Sequence, residues 1–169
     1  MWVHKGLKRP NFAIVPRQGQ ESVWDYPRPP AVVADRRKVE IFSKDGRLIG
    51  RSERSVRILE TASPPTFYIP AEDVFVDLSL CEDSSFCEWK GAATYWRVER
   101  GANTPIGWSY DNPSPSYLGI KDHISFYPAR VDCFVGGERV KPQPGGFYGG
   151  WLTSDICGPV KGQPGTESW

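Results

Sequence analysis

Between Phe86 and Tyr110 the chain sets a thiol (Cys87), a carboxylate (Glu88) and an amine (Lys90) among three indoles, Trp89, Trp96 and Trp108, and two phenols, Tyr95 and Tyr110. Aromatics at this density build either a core or the walls of a ligand pocket. The amine makes the choice informative, because burying a lone ammonium is expensive: Lys90 either reaches water or faces a negative group. With Tyr68, the rings at 95, 96, 108 and 110 could stack on a flat ligand ring. Lys90 and Arg57 would then act as anion hooks, Arg57 holding a carboxylate or phosphate bidentately. Arg57 equally suits an internal ion pair with Glu60 or Asp132. The ligand-binding set read from the sequence is therefore Arg57, Glu60, Tyr68, Lys90, Tyr95, Trp96, Trp108 and Tyr110.

Other chemistries find less to stand on. Lys90 could activate Cys87 as a nucleophile if a turn at Glu88–Gly91 brought the two together, and Gly91 permits such a turn; a buried structural thiol is the simpler reading. An enzyme using Cys87 or Lys90 stays open as an alternative. His123 lies between Asp122 and Ile124 on an expected strand and reads as an ordinary strand histidine rather than a general base. No Walker A loop, no Gly-x-Gly-x-x-Gly after a strand and no nucleophile elbow occurs; Gly107-Trp108-Ser109-Tyr110-Asp111 has Asp where the second glycine belongs. The cysteines at 81, 87, 133 and 157 form no close pairs, so no structural zinc site is expected. No cofactor and no metal is called for.

The elements that must position these residues read as strands. Lys38–Ser43 and Arg47–Gly50 flank Asp45-Gly46, a strong hairpin signal. Residues 52–61 suit a strand or a short helix capped by Ser52. Thr66–Ile69, Val74–Leu80, Ala92–Glu99, Ile106–Tyr110, His123–Tyr127 and Val131–Val135 follow, with one helical turn over 116–121 and a tight turn at Gly136-Gly137 into Glu138–Val140. Short strands at this spacing predict a mainly β domain, a compact antiparallel sheet assembly of barrel or sandwich type with at most one or two short helices. Residues 1–30 read as an extended, proline-punctuated arm pinned by Trp24 and Tyr26, residues 31–141 as the β-rich domain, and 142–169 as a Gly/Pro/aromatic tail whose first half packs on the body.

Several runs resemble the domain-of-unknown-function family numbered 427. These are Tyr26-Pro27-Arg28-Pro29-Pro30, Arg57-Ile58-Leu59-Glu60-Thr61 with Pro64-Pro65, and Tyr68-Ile69-Pro70 with Asp73-Val74. Cys87-x-Trp89-Lys90-Gly91-x-Ala93-x-Tyr95-Trp96, Trp108-x-Tyr110-x-x-Pro113 and Phe126-Tyr127 with Val131-Asp132 complete the set. The resemblance covers residues 24–135, and Gly145–Trp151 with Thr153-Ser154-Asp155 is similar to the long-form members. It implies a bacterial or fungal β-rich domain, similar to β-tent folds, with a nucleotidyltransferase-like label. The chain has no Gly-Ser pair followed by a spaced Asp-x-Asp, so two-metal phosphoryl chemistry would lack its ligands.

A net charge of +1 carries no nucleic-acid signature. Residues 1–38 hold eight Lys/Arg against three acids, which reads as a solvated basic arm. No apolar stretch is long enough to span a membrane, no secretory leader opens the chain, and the unpaired cysteines predict a cytoplasmic protein with reduced thiols. The expected partner is a small-molecule ligand, with no nucleic acid and no membrane. An interaction module in which arm and tail assemble a homo-oligomer is the remaining reading.

Overall fold

Alternation along Phe67-Tyr68-Ile69 sets the architecture. Successive side chains of a strand point to opposite faces, and here Phe67 and Ile69 enter one apolar cluster while Tyr68 enters another. A computed structural model describes residues 1–98 and 103–169. In chain order the strands are β1 (Glu21–Ser22), β2 (Ala31–Asp35), β3 (Val39–Phe42), β4 (Leu48–Ser52), β5 (Ser55–Leu59), β6 (Thr66–Pro70), β7 (Leu78–Cys87) and β8 (Gly91–Val98). They continue with β9 (Gly107–Ser109), β10 (His123–Phe126), β11 (Asp132–Val135), β12 (Glu138–Arg139), β13 (Lys141–Pro142), β14 (Trp151–Leu152) and β15 (Ile156–Cys157).

A seven-stranded antiparallel sheet in the order β2-β5-β6-β10-β9-β8-β7 faces a four-stranded sheet in the order β12-β11-β3-β4. Neither closes on itself, so the fold is a sandwich rather than a barrel. The inner faces meet through Val39, Ile41 and Ile49 from one sheet and Phe67, Ile69 and Phe126 from the other. Trp151 in the tail stacks on Phe67, its ring centroid 4.9 Å away, and its indole N–H donates to the Phe126 carbonyl at 2.9 Å. The other face of the large sheet carries the second cluster, built on Tyr68, Trp108 and Tyr110. A third joins the arm (Val23, Trp24, Tyr26) to the tail (Val160, Trp169).

The strands differ from expectation in instructive places. Sheet structure begins before Lys38, because Ala31-Val32-Val33-Ala34 is β-prone and pairs along its length with β5. In the ambiguous segment 52–61, Ser52 ends β4 and Ser55–Leu59 is the strand β5, with no helix. Val74–Leu80 is strand only from Leu78: Ala71–Asp73 turns in a 3-10 helix, and Val74 makes a single bridge to Gly50. β7 instead runs on through the polar Glu82–Ser85, since at a sheet edge its outer side chains face solvent. Its pairing with β8 slips between Leu80 and Ser84. The end of the expected strand at Glu99 lies outside the described residues. Three 3-10 turns occur among the described residues (23–25, 71–73, 115–120), one more than expected. In the tail, Phe147 does not pack on the body but stands 79% exposed.

Arg57 sits between Val56 and Ile58 on β5, so the pleat points it away from Tyr68 and into the junction of arm, sheet and tail. Its guanidinium meets the Glu21 carboxylate at 2.9 and 3.1 Å, and its Nε lies 3.2 Å from Asp35. Asp35 also pairs with Arg37 at 2.7 Å, and Arg37 reaches Asp155 in the tail at 3.0 Å. The internal partners of Arg57 are thus Glu21 and Asp35. Glu60 pairs instead with Arg28, and Asp132 with Lys44 and Arg139. Burial alone would push the Asp35 carboxyl up, but the hydrogen bonds from Arg37 and the charges of Arg37 and Arg57 hold it below the ordinary carboxylate range. Glu21 is likewise held down against burial by hydrogen bonds from Arg57 and Tyr26.

Arg57→Ala removes the guanidinium that joins Glu21 to Asp35, but Asp35 keeps Arg37 and the half-exposed Glu21 keeps Tyr26, so the expected cost is about 1–3 kcal/mol, whereas Arg51→Ala, at the exposed pair with Glu40, changes stability by less than about 1 kcal/mol; urea unfolding followed by tryptophan fluorescence separates the two. Because Asp35 and Glu21 titrate lower folded than unfolded, their contribution is complete above about pH 4 and is lost as pH falls through the lowered values. The urea midpoint of the natural chain should therefore drop on acidification below about pH 4, and drop less in Asp35→Asn.

Candidate functional site

The face of the large sheet turned away from the sandwich core carries a cavity of about 560 Å³, within the range of small-ligand sites. Its floor is Tyr68 on β6, Trp108 on β9 and Tyr110 just beyond it. The β7–β8 hairpin forms one wall, and the tail around Gly149 forms another. The indole N–H of Trp108 donates to the Tyr68 hydroxyl at 3.0 Å, and Trp108 packs on Tyr127 with ring centroids 4.6 Å apart. Gly149 crosses this indole so closely that a Cβ there would lie 2.2 Å from it.

The hairpin loop is the three residues Glu88-Trp89-Lys90, closed by Gly91 at φ +104°, a conformation that glycine adopts without penalty. The expected turn is present, and it returns Lys90 toward Cys87. The Lys90 backbone is held by the Ser114 N–H, which donates to its carbonyl at 3.0 Å. Its side chain folds inward, 9% exposed overall, with the ammonium 5.6 Å from the Tyr110 ring centre. No carboxylate lies within 4 Å of that ammonium among the described residues. Burial works against its charge, yet Tyr68, Cys87 and Glu60 around it more than offset this and hold Lys90 above its ordinary value. Burial raises the Tyr68 and Tyr110 phenols, so both are neutral hydrogen-bonding groups at neutral pH.

Six of the eight residues singled out from the sequence line this cavity: Glu60, Tyr68, Lys90, Tyr95, Trp108 and Tyr110. Tyr95 shares a 2.7 Å hydrogen bond with Ser85 at the wall. Two lie elsewhere. Arg57 is committed to Glu21 and Asp35 on the opposite face, so it is not an anion hook in this cavity. Trp96 follows Tyr95 in the strand and therefore points the other way; its ring packs on the sandwich core and its N–H donates to Ser109 at 2.8 Å. Cys87 also lines the cavity. Cys81 and Cys87 stand six residues apart on one strand, on the order of 20 Å, beyond disulfide reach, and all four cysteines are free. Among the described residues no three His, Cys, Asp or Glu side chains come together to hold a metal ion.

The cavity also contains residues that the sequence reading missed. Trp2 arrives from the arm, its N–H donating to Glu88 at 2.8 Å. Arg130 stacks 4.2 Å from the Tyr127 ring centre and donates to the Pro105 carbonyl. Tyr148 and Lys161 come from the tail. The rings of Trp2 in the arm and Tyr148 in the tail were available signals; Lys161, between Val160 and Gly162, had none.

The model of the family described as a domain of unknown function (DUF427) matches residues 31–137, well over half of the chain. The chain belongs to this DUF427 family. A search of curated proteins finds no match to it. The DUF427 region supplies the cavity floor and the hairpin with Lys90, while Trp2, Gln143, Tyr148 and Lys161 come from the segments on either side.

Gly149→Ala should lower stability by about 1–3 kcal/mol by overpacking, because the buried Trp108 is held between Tyr68 and Tyr127 and cannot yield. Urea unfolding measures the loss, and a shifted tryptophan emission maximum would report the displaced indole.

Proposed function

We propose that this protein binds a small ligand carrying an acidic group and a flat ring in the cavity over Tyr68, Trp108 and Tyr110. The observation that carries the reading is Lys90: a charged ammonium at the cavity wall, nearly buried, with no carboxylate within 4 Å among the described residues. A buried cation without its counter-charge is costly, and an anionic ligand group would supply that charge. The rings around it offer stacking surface, and the neutral phenols of Tyr68 and Tyr110 offer hydrogen bonds to the ligand. Glu60 acts on Lys90 only from beyond 4 Å and is itself paired with Arg28 at 3.1 Å. The ligand's acid therefore belongs beside Lys90, with its ring over the aromatic floor.

The four free cysteines fit a reducing compartment, and we place the protein in a bacterial cytoplasm. No helix among the described residues is long and apolar enough to cross a membrane.

Thermal-shift and tryptophan-fluorescence titrations against aromatic carboxylates and nucleotides at neutral pH test the reading. A binder present at about a hundred times its Kd stabilises the fold by roughly 2.7 kcal/mol and should raise Tm by several degrees. Lys90→Met should weaken binding by about ten- to a hundredfold, the worth of a charged hydrogen bond, while leaving circular dichroism unchanged. Absence of any response across the panel, or full binding by Lys90→Met, would refute it.

A further inference from the structure

The DUF427 match ends at residue 137, but the cavity does not. Its far wall is Lys161, held rigidly by its own backbone: its N–H donates to the Ala62 carbonyl at 2.7 Å, and its carbonyl accepts from the Gln143 side chain at 2.8 Å. The residue is 3% exposed. Its ammonium lies 3.9 Å from the Trp2 ring centre and 5.3 Å from that of Tyr148. Trp2 carries Arg28 at 4.3 Å as well.

Ring faces attract a cation but offer no lone pair to an N–H. Among the described residues no oxygen accepts from the Lys161 ammonium, and no carboxylate lies within 4 Å of it. Glu60, Glu88 and Glu167 act on it from further away. Glu60 is engaged by Arg28 and Glu88 by Trp2, while Glu167 accepts the Gly165 N–H. Burial and the neighbouring Arg28 outweigh all three and lower the Lys161 value. This end of the cavity is thus short of negative charge. Glu60 acts electrostatically on Lys90 as well as Lys161, so one compact region holds two ammoniums, each lacking a carboxylate within 4 Å among the described residues.

We propose that Lys161 is a second anion hook, and that the ligand is a planar molecule with two negative charges, one at Lys90 and one at Lys161. This rests on the anion-plus-ring reading of the cavity and names the class of ligand it takes. The flanking arm and tail then set selectivity: the DUF427 region holds one acid, while Trp2, Tyr148 and Lys161 demand another.

Isothermal titration calorimetry of the full chain with benzoate and with the three benzenedicarboxylates, at neutral pH, tests the idea. At least one dicarboxylate should bind about tenfold or more tighter than benzoate. Lys161→Met should abolish most of that preference, read as the ratio of dicarboxylate to benzoate affinity, since methionine fills similar volume without charge. Lys161→Arg should retain the preference, and Lys161→Gln is the second charge-removing variant if Lys161→Met does not fold. Benzoate bound as tightly as all three dicarboxylates overturns the second hook and leaves the anion-plus-ring reading standing, as does a preference that survives loss of the Lys161 charge. If neither benzoate nor any dicarboxylate binds, the second hook falls, and the anion-plus-ring reading falls with it only if the nucleotides of the thermal-shift panel also give no response.

Discussion

The buried guanidinium of Arg57 is the constraint on which the rest of the molecule depends. Two carboxylates meet it, Glu21 from the arm and Asp35 from β2, and Asp35 passes the connection through Arg37 to Asp155 in the tail. Charges in a low-dielectric setting tolerate little displacement, because each lost partner leaves another uncompensated. Arm and tail are otherwise short ladders and turns with little regular structure of their own. Anchoring them to β5, paired on both sides within the large sheet, lets them carry functional side chains with the precision of a sheet. Trp2 and Lys161 owe their places at the cavity to this anchoring at some remove, through the Val23–Trp24–Tyr26 cluster that joins both segments.

The cavity itself is a product of the pleat. One face of the seven-stranded sheet is spent on the sandwich core, so Phe67, Ile69 and Trp96 are consumed there. The other face has no second sheet over it, only the hairpin, the 3-10 turn at 115–120 and the tail. Large rings at Tyr68, Trp108 and Tyr110 fill part of that space and leave a recess between them. Lys90 can be nearly buried without a carboxylate beside it because this recess, rather than packed protein, stands in front of it.

Much of this was legible in the sequence because it was local. The strand pattern, the hairpin at Asp45-Gly46 and the turn at Gly91 follow from a few adjacent residues, and the mainly β class follows from their spacing. Tyr68, Tyr95, Trp108 and Tyr110 could be grouped because strand periodicity and aromatic density both marked them. The same periodicity held the warning about Trp96, whose neighbour Tyr95 already occupied the cavity side. Arg57 was misplaced for a different reason: its partners are Glu21 in the arm and Asp35 on the neighbouring strand β2, and no pattern local to β5 announces either pairing. Lys161 is the clearest case of what sequence leaves out. A single lysine in a glycine- and proline-rich tail gains meaning only when the chain brings it against Trp2, from the opposite end of the sequence.

The slipped register of β7 has a consequence for how copies of this protein tolerate one another. β7 is a long strand on the outer edge of the large sheet, with Leu80 and Phe86 exposed beside unpaired backbone. Such an edge invites another strand to zip onto it and begin an aggregate. The irregularity falls between Leu80 and Ser84, and Glu82 and Asp83 sit within it, both exposed. A kinked backbone offers an incoming strand no continuous ladder, and two adjacent negative charges repel the same segment of a second copy. Those two acids act as a guard on the open edge of the sheet, beside the cavity wall to which Asp83 belongs.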